Sequence, residues 1–374
     1  YNADLIKRKA IYVSYAQAVP LKYAIDPEHC IYFKKGRCRA CEKVCPSGAI
    51  NFEDSEKTIH LHVGSIILAP GFKSFDPIRF DNYAYAGLPD VVTSLEFERI
   101  LSATGPYGGH LMRPSTMSGK KPAGKPPQKI AWLQCVGSRD ISRCDNGYCS
   151  SVCCMYAVKQ AVMAKDHSDI PLECAIFYMD MRTQGKNFDR YYENAGQSGV
   201  RFVPSKIHSV EAIQGTDDLK LRCVGEDGRM QEETFEMVVL STGLEVRKDT
   251  IGLSGTLGLD LDNYHFTRTD SFHPVGTSVP GIYACGVITG PKDIPQSVME
   301  ASAAACAATE HLAAARNTQT KTVAVPTEKD VTREAPRIGV FVCNCGINIG
   351  GIVRVPEVAE YVRTLPGVVY VEEN

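Results

Sequence analysis

The chain has 374 residues, which is enough for two or three domains with their own hydrophobic cores. Its formal net charge is −2, so it lacks the basic excess that nucleic-acid-binding domains show. Its 15 cysteines are clustered, which favours metal ligands over a disulfide scaffold, since disulfide-dense proteins are mostly small and secreted. No apolar run is long enough to cross a bilayer and no signal peptide is present. We therefore expect a cytoplasmic protein, and because the chain opens with Tyr1 we expect it to begin inside a longer polypeptide.

The first motif is a string of four cysteines with the pattern C-x7-C-x2-C-x3-C-P, formed by Cys30, Cys38, Cys41, Cys45 and Pro46. Thiolates at this spacing can bind an iron–sulfur cubane, and the C-x2-C-x3-C-P ending is typical of ferredoxins. Zinc is the main alternative, but a structural zinc site usually has two separated C-x2-C or C/H pairs. The string therefore predicts a [4Fe-4S] cluster and one-electron transfer, within short strands and turns over residues 1–55.

Two hydrophobic segments, each closed by small residues and a glycine, come next. One runs through residues 66–68 into Ala69, Pro70 and Gly71, and the other spans residues 237–243. Such a pair is typical of the crossover strands of flavoproteins with two dinucleotide-binding domains. Strands and helices alternate between them, which predicts a parallel sheet. We expect strands at 129–134, 175–179, 200–207 and 219–224, a helix at 150–164 and a loop at 104–128.

A flavin signal lies further along the chain. Residues 277–286 read T-S-V-P-G-I-Y-A-C-G and precede an Ala-rich helix. This string resembles the second flavin motif of the thioredoxin-reductase and disulfide-oxidoreductase family, although Val287 stands where that motif has an Asp that holds the ribityl chain. The helix N-terminus would place its dipole beside the flavin pyrimidine ring, with Ser297 as a possible cap. An ordinary strand–loop–helix unit is the alternative.

The predicted flavin contacts are Ala69, Pro70, Gly71, Cys285, Gly286, Val287, Ile294, Pro295, Gln296 and Ser297. The first flavin motif, G-x-G-x-x-G after a strand, does not occur in the sequence. Either it lies upstream of Tyr1 or this chain does not hold the adenine half of FAD.

A second group of cysteines follows the strand at 129–134. Cys135 occupies the turn where a pyridine-nucleotide-binding domain would carry glycines that let a pyrophosphate approach. Cys149, Cys153 and Cys154 open the next predicted helix, and the four-residue spacing of Cys149 and Cys153 would place both on one helical face. Ligands of this fold bind at the strand tips, so three or four thiolates can converge there. We predict that a second cubane replaces the nicotinamide cofactor; buried structural cysteines are the alternative.

Longer strings resemble the A-type subunit family of heterodisulfide reductases, over nearly the whole chain. They lie at residues 9–20, 32–46, 93–99, 135–140, 148–160 and 290–297. The resemblance implies an α/β, thioredoxin-reductase-like flavoprotein with two dinucleotide-binding domains and an inserted ferredoxin-like domain. It also implies FAD and [4Fe-4S] clusters as cofactors, with the Cys135 group as ligands of an unusual cluster.

The same resemblance implies residue roles near the flavin. Lys159 matches a lysine near the flavin ring, where a cation would stabilise the anionic reduced form; a solvated helix lysine is the alternative. Glu96 or Glu98 is a candidate flavin-side acid. The implied function is electron bifurcation within a complex of B- and C-type subunits, hydrogenase or formate dehydrogenase modules, or ferredoxin.

Two other functions are alternatives, and the sequence argues against the second of them. A related subunit can transfer electrons without bifurcation, as in sulfate-reduction or benzoyl-CoA reductase complexes. An NAD(P)H-dependent disulfide reductase would need a redox C-x-x-C beside the flavin, but the only one, Cys38–Cys41, belongs to the ferredoxin string.

Residues 340–349 resemble the N-terminal domain of the same family, so we expect a fusion of two such units, with Cys343 and Cys345 opening another cluster site. In two-cluster ferredoxins the Cys before Pro ligates the other cluster, which leaves the partner cysteines of Cys45 open. The expected domains are part of a ferredoxin-like domain (1–55), a flavin-binding domain (56–128 and 235–316), a nucleotide-type βαβ domain (129–234), a linker (317–336) and the start of a second N-terminal-type domain (337–374).

Overall fold

The computed structural model describes residues 5–14, 18–45, 47–117, 124–225, 227–344 and 349–373. The chain divides into two compact units. The first comprises residues 1–56, 102–109 and 317–374, and the second comprises 57–101 and 110–316. No helix within the described ranges is both long enough and apolar enough to cross a membrane.

The cysteine string of the first unit lies on two short helices and the turns around them. The elements are β1 (Ile11–Tyr12), which pairs antiparallel with β2 (Ala24–Ile25), and the helices α1 (Ile31–Lys35) and α2 (Ala40–Lys43). The rings of Tyr32, Phe33 and Phe52 pack together, with centroids between 4.4 and 5.8 Å apart. This small aromatic cluster stands in for a larger core, as is common in domains whose stability depends on bound metal.

The second unit is built on alternating strands and helices. In chain order its elements are β3 (Ile66–Leu68), β4 (Lys73–Ser74), β5 (Val91–Thr93), α3 (Ser94–Leu101), β6 (Lys129–Val136), α4 (Ile141–Cys144), α5 (Cys153–Asp166), β7 (Glu173–Phe177), α6 (Phe188–Gln197), β8 (Val200–Val203), β9 (Ile207–Ala212), β10 (Leu219–Val224), β11 (Met230–Phe235), β12 (Met237–Thr242), β13 (Leu244–Glu245), α7 (Lys248–Leu257), β14 (Ile282–Ala284) and α8 (Ile294–His311).

Five parallel strands in the order β5-β12-β6-β7-β8 form the main sheet. The antiparallel sheet β11-β10-β9 lies against one face, where Leu219 and Phe235 share a core with Ala131 and Leu133 of β6. Side chains alternate along a strand, so Trp132 faces the opposite side, where the Phe97 ring of α3 meets it edge-on at 5.4 Å. Both faces are therefore covered, which explains why the strands are nearly continuous apolar runs.

Two further strand pairs connect to this sheet. Strands β3 and β14 pair in parallel, with Leu68 opposite Ala284, and β4 pairs antiparallel with β13. The two glycine-closed segments predicted from the sequence lead directly into β4 and β13. The predicted crossover between the two dinucleotide-binding domains is therefore formed by the antiparallel pair of β4 and β13.

The structure differs from the expected domain bounds at two strands. We expected β5 and β12 in the flavin-binding domain, but both belong to the five-stranded sheet, and β12 lies between β5 and β6. The predicted strand at 200–207 is two strands, β8 and β9. The predicted helix at 150–164 begins only at Cys153. Each difference arises because local apolar patterning does not specify which strands pair or where a turn interrupts them.

The end of the chain forms a βαβ arrangement. Strand β15 (Ile338–Val342) pairs in parallel with β16 (Val368–Glu373), and α9 (Val355–Arg363) connects them with Val355 and Ala359 buried. Residues 317–336, expected as a linker, contain neither helix nor strand.

Candidate functional site

The second cysteine group begins at the tip of the central strand β6. Cys135 is 9% exposed and has a φ of +60°, in the left-handed region that non-glycine residues rarely adopt. Gly137 and Arg139 in the following turn also have positive φ values of +79° and +56°. Backbone strain of this kind persists where the surrounding structure enforces it and is common at functional sites. The orientation of the Cys135 thiol therefore depends on a backbone conformation that costs free energy.

Cys149 reaches the same region from a turn, not from a helix. The prediction that Cys149 and Cys153 share a helical face is wrong, because α5 begins only at Cys153. Ser151, whose φ is +62°, separates Cys149 from the helix. The backbone N–H of Ser151 donates to Cys149 Sγ at 3.4 Å. Cys153 and Cys154 are the first two residues of α5, where unpaired N–H groups and the helix dipole favour negative charge.

The four thiols lie close enough to influence one another, and burial disfavours the ionisation of Cys135, Cys153 and Cys154. Burial raises the pKa of Cys135 to about 11, and the neighbouring Cys154 and Cys149 thiols contribute to the shift. Burial also raises the pKa of Cys153, with contributions from Cys135, Cys154 and Cys149. Four thiolates can therefore share this position only if a cation compensates their charge, and an iron–sulfur core supplies that compensation. The donor set fits such a cluster.

Two guanidinium groups flank these thiols. The Asp180 carboxylate accepts hydrogen bonds from Arg139 and, at 3.0 Å, from Arg182. Asp180 raises the pKa of Arg182, and a contact with Cys149 raises it further. Arg139 in turn opposes the rise in the Cys135 pKa, first through its positive charge and then through a hydrogen bond to the thiol. Sequence reasoning missed Asp180 and Arg182, which lie after β7 and carry no local motif.

A further group of possible metal ligands lies in the first unit. Among the described residues, Asp26, Glu28 and His29 are the only group of three or more His, Cys, Asp or Glu side chains whose donor atoms all lie within 4.8 Å of one another. Asp26 already accepts hydrogen bonds from Arg8 and from His29, each at 3.0 Å, so this trio is an ion-paired turn.

The ferredoxin-type cysteines surround α1 and α2. Cys30 precedes α1 and is buried, Cys41 lies in α2, and Cys38 and Cys45 lie in the adjoining turns. Cys45 Sγ accepts a hydrogen bond from the N–H of Ala49 at 3.4 Å. Hydrogen bonds from Ser47 and Ala49 lower the pKa of Cys45, which favours the thiolate that a cluster requires. Pro46 lies outside the described residues.

The two segments predicted to contact flavin lie at one edge of the β3–β14 pair. Ala69, Pro70 and Gly71 follow β3, while Cys285, Gly286 and Val287 follow β14. The Cys285 N–H donates to the Leu68 carbonyl at 3.0 Å, which fixes the two loops side by side. Both loops therefore leave the carboxyl ends of parallel strands, where ligands bind in this class of sheet.

The helix that follows begins differently from the prediction. Asp293, not Ser297, caps α8: its carboxylate accepts from the Gln296 N–H at 2.9 Å. The Ser297 hydroxyl instead donates to the Asp293 carbonyl at 2.8 Å. Ile294 is exposed at the first position of α8, so the start of this helix remains compatible with the predicted flavin contact.

The two candidate glutamates have different partners. Glu96 is buried, and its carboxylate accepts from the Thr93 N–H at 2.6 Å and from the Tyr85 hydroxyl at 2.8 Å, so it holds the start of α3. Glu98 instead accepts from the Lys159 ammonium at 3.0 Å. Glu98, rather than Glu96, is therefore the acid beside Lys159.

The last predicted cluster site lies in the C-terminal βαβ segment. Cys343 follows β15 and is disulfide-bonded in the structure, and that bond would have to be reduced before its thiolate could bind a cluster. Cys345 lies outside the described residues. Cluster binding at this site stays a prediction.

Comparison with known proteins identifies the family of the chain. The family model described as pyridine nucleotide-disulphide oxidoreductase matches residues 25–305. The chain is 42% identical over 313 residues to the iron-sulfur A-subunit of the CoB–CoM heterodisulfide reductase of Methanocaldococcus jannaschii, covering 82% of this chain and 45% of that protein. It is 37% identical over 310 residues to the A-subunit of the H2:CoB-CoM heterodisulfide,ferredoxin reductase of Methanothermobacter marburgensis, covering 80% and 44%.

The chain thus spans about half the length of the curated relatives that it matches. Among solved structures, a thioredoxin reductase from Lactococcus lactis aligns with 67% of this chain and 66% of its own, at 16% identity and a TM-score of 0.41. The predicted fold, a flavoprotein with two dinucleotide-binding domains, is confirmed, and the family implies a flavin cofactor and an oxidoreductase subunit. The chain belongs to the pyridine nucleotide-disulphide oxidoreductase family and, within it, to the group of heterodisulfide reductase A-subunits.

Proposed function

We propose that this chain transfers single electrons between FAD and [4Fe-4S] clusters in a cytoplasmic heterodisulfide-reductase-like complex. The observation that supports this most directly is the convergence of Cys135, Cys149, Cys153 and Cys154 at the tip of β6. A pyridine-nucleotide-binding domain would present glycines to a pyrophosphate at this position. Here buried thiols and two guanidinium groups occupy it, which suits an anionic cluster better than a dinucleotide.

The chain's own residues would bind, orient and electrostatically tune the cofactors. FAD supplies two-electron and one-electron chemistry when bound. The loops after β3 and β14 would hold it, and the start of α8 would face its pyrimidine ring. Arg139 and Arg182 would offset the charge of the cluster at Cys135, and the N–H groups of Ser151 and Ala49 would donate to ligand sulfurs. Such hydrogen bonds and charges set cluster potentials.

We further propose that electron transfer here is bifurcating, with one electron passing to a high-potential and one to a low-potential acceptor. Names of relatives support this: the Methanothermobacter marburgensis protein belongs to an enzyme called H2:CoB-CoM heterodisulfide,ferredoxin reductase, which names two acceptors. The proposed partners are B- and C-type subunits, ferredoxin, and hydrogenase or formate dehydrogenase modules. The second candidate is a non-bifurcating electron-transfer subunit of a related reductase complex.

Cofactor content tests the core of this proposal. The full-length protein, purified anaerobically, is compared with Cys135→Ser and Cys153→Ser variants for iron, sulfide and flavin. Each variant should lose about four irons per protomer and keep its flavin. Cys174→Ser is a matched control, because Cys174 is also buried and lies in the same sheet as Cys135, but its thiol donates to the Ala161 carbonyl. If the iron content of Cys135→Ser and Cys153→Ser were unchanged, these residues would be structural cysteines and not cluster ligands.

Bifurcation requires a separate measurement in the assembled complex. Reduction of ferredoxin should depend on the simultaneous reduction of a high-potential acceptor, with one electron delivered to each. Reduction of either acceptor at full rate without the other would favour the non-bifurcating candidate.

A further inference from the structure

A partly buried ion pair lies behind the loop that follows β14. Lys292 and Glu300 are joined at 2.6 Å between Nζ and Oε1, and their side chains are 8% and 19% exposed. Neither residue emerged from the sequence as a flavin contact, although Lys292 lies within the G-P-K-D-I-P string. Their contacts all lead to the turn at residues 286–289, which adjoins the loop after β3.

Glu300 closes that turn from α8. Its Oε2 accepts from the Gly286 N–H at 2.9 Å and from the Thr289 hydroxyl at 3.0 Å. Gly286 has a φ of +75°, so its conformation favours glycine and its N–H needs a partner inside the turn. Val287 is 9% exposed and packs with Leu244. Residues 286–289 contain no acidic side chain, so Glu300 supplies the only carboxylate described at this turn.

Lys292 completes the arrangement with a positive charge. Its ammonium donates to the Thr289 hydroxyl and to Glu300 Oε1. An ammonium has three N–H donors, so one remains beyond these two contacts. A buried ion pair is usually no more stabilising than a well-packed apolar pair, so stability alone does not account for placing this one beneath a ligand-binding edge.

We infer that Lys292 and Glu300 position the flavin nucleotide. Glu300 holds the turn at Gly286 in shape, and Lys292 offers its remaining donor to an oxygen of the ribityl or phosphate chain. This inference rests on the proposed binding of FAD at the β3–β14 edge. It assigns the polar recognition of that chain to a buried pair on α8 and the loop before it.

Flavin affinity of the full-length protein tests the assignment. Lys292→Met and Glu300→Gln should each raise the Kd for FAD by about tenfold or more, because each removes a charge-assisted contact. Iron content should stay at the wild-type value, which shows that the variants fold. Glu310→Gln, an exposed change on the same helix, should leave the Kd unchanged.

A double variant separates positioning from simple bracing. Lys292→Met/Glu300→Met removes both charges and leaves a compact apolar pair, so it should restore thermal stability without restoring FAD affinity. Lys292→Arg, which keeps the charge, should recover part of the affinity. Riboflavin and FMN measured beside FAD identify the oxygen: all three weaken if it is on the ribityl chain, and riboflavin is unaffected if it is on the phosphate.

Three results decide the matter. If the wild-type protein binds no flavin, the proposed function itself fails. If wild type binds FAD but Lys292→Met binds it equally well, the inference is overturned. If the Met/Met double variant regains wild-type affinity, the pair is a structural brace and the inference is overturned as well.

Discussion

The Lys159 ammonium lies 3.0 Å from the Glu98 carboxylate, so an ion pair links α5 to α3. The Gln160 side chain also donates to Glu98, at 3.2 Å. The side chains of Lys159 and Glu98 are 48% and 34% exposed, and pairs this open to solvent contribute at most about 1 kcal/mol to stability. An effect of either residue on the flavin would therefore be separable from an effect on folding.

We predict that Lys159→Met lowers the flavin reduction potential while shifting the melting temperature little. Loss of a nearby cation disfavours the anionic reduced flavin. Glu98→Gln should raise the potential, because it removes a negative charge that offsets Lys159. Redox titration of the flavin in the full-length protein measures both changes.

Lys165→Met provides the control for Lys159→Met. Lys165 lies on the same helix and donates to the Leu172 carbonyl at 2.9 Å, so its loss should affect stability but not the flavin. If the flavin reduction potential were the same as that of wild type in both Lys159→Met and Glu98→Gln, Lys159 would be an ordinary solvated lysine on its helix.

We predict that Arg182→Met lowers the reduction potential of the cluster at Cys135 and leaves its iron in place. The guanidinium contacts Cys149 and is held by Asp180, so it stabilises the added electron. The measurement is a potentiometric titration followed by electron paramagnetic resonance. Arg190→Met, an exposed change on α6, is the control. A cluster potential equal to that of wild type would mean that the guanidinium does not act on the cluster.

The strands were predictable from local pattern, but their order was not. The apolar run at residues 219–224 predicts a strand there, and β10 has those bounds. The central place of β12 depends on pairing with β5 and β6, which are more than 100 residues earlier in the chain. No local period encodes such a partner, so the expected flavin-binding domain included two strands of the neighbouring sheet.

The site shows the same division between residue type and placement. Cysteines 135, 149, 153 and 154 could be proposed as ligands from the sequence, because the turn lacked the expected glycines, but the pattern alone left buried structural cysteines as an alternative. The departure of Cys149 from the helix depends on the left-handed backbone at Ser151. The pairing of Lys292 with Glu300 depends on the loop folding back over α8, and neither residue type is unusual by itself.

We predict that Gly137→Ala strongly destabilises the second unit. Gly137 has a φ of +79°, and an added Cβ would lie 1.9 Å from the ring of Phe75, which is 1% exposed. Strain at positive φ together with overpacking gives an expected loss of roughly 2–4 kcal/mol. Gly215→Ala is a matched control, because its φ is +81° but no atom lies within 4 Å of the added Cβ.

Anaerobic chemical denaturation measures both glycine variants. The control should lose only about 1 kcal/mol, the cost of the backbone conformation. Equal losses in the two variants would mean that the ring of Phe75 moves aside at no cost. The iron content of Gly137→Ala should be measured as well. Because Gly137 lies in the turn that connects Cys135 to Arg139, we expect this variant to lose iron along with stability.

A final prediction concerns a buried ion pair away from the cysteines. Arg113 donates to the Asp90 carboxylate at 3.0 Å and to Asp218 at 2.9 Å, and the Arg113 and Asp90 side chains are only 8% and 2% exposed. Arg113→Met would leave the Asp90 charge uncompensated, so we expect a loss of about 3–5 kcal/mol. Adding Asp90→Asn should recover part of it, because the amide is neutral and can still accept from the Ser115 N–H. If the double variant were less stable than Arg113→Met, the stranded charge would not be the cause of the loss, and the contacts of Asp90 with Ser115 would account for it instead.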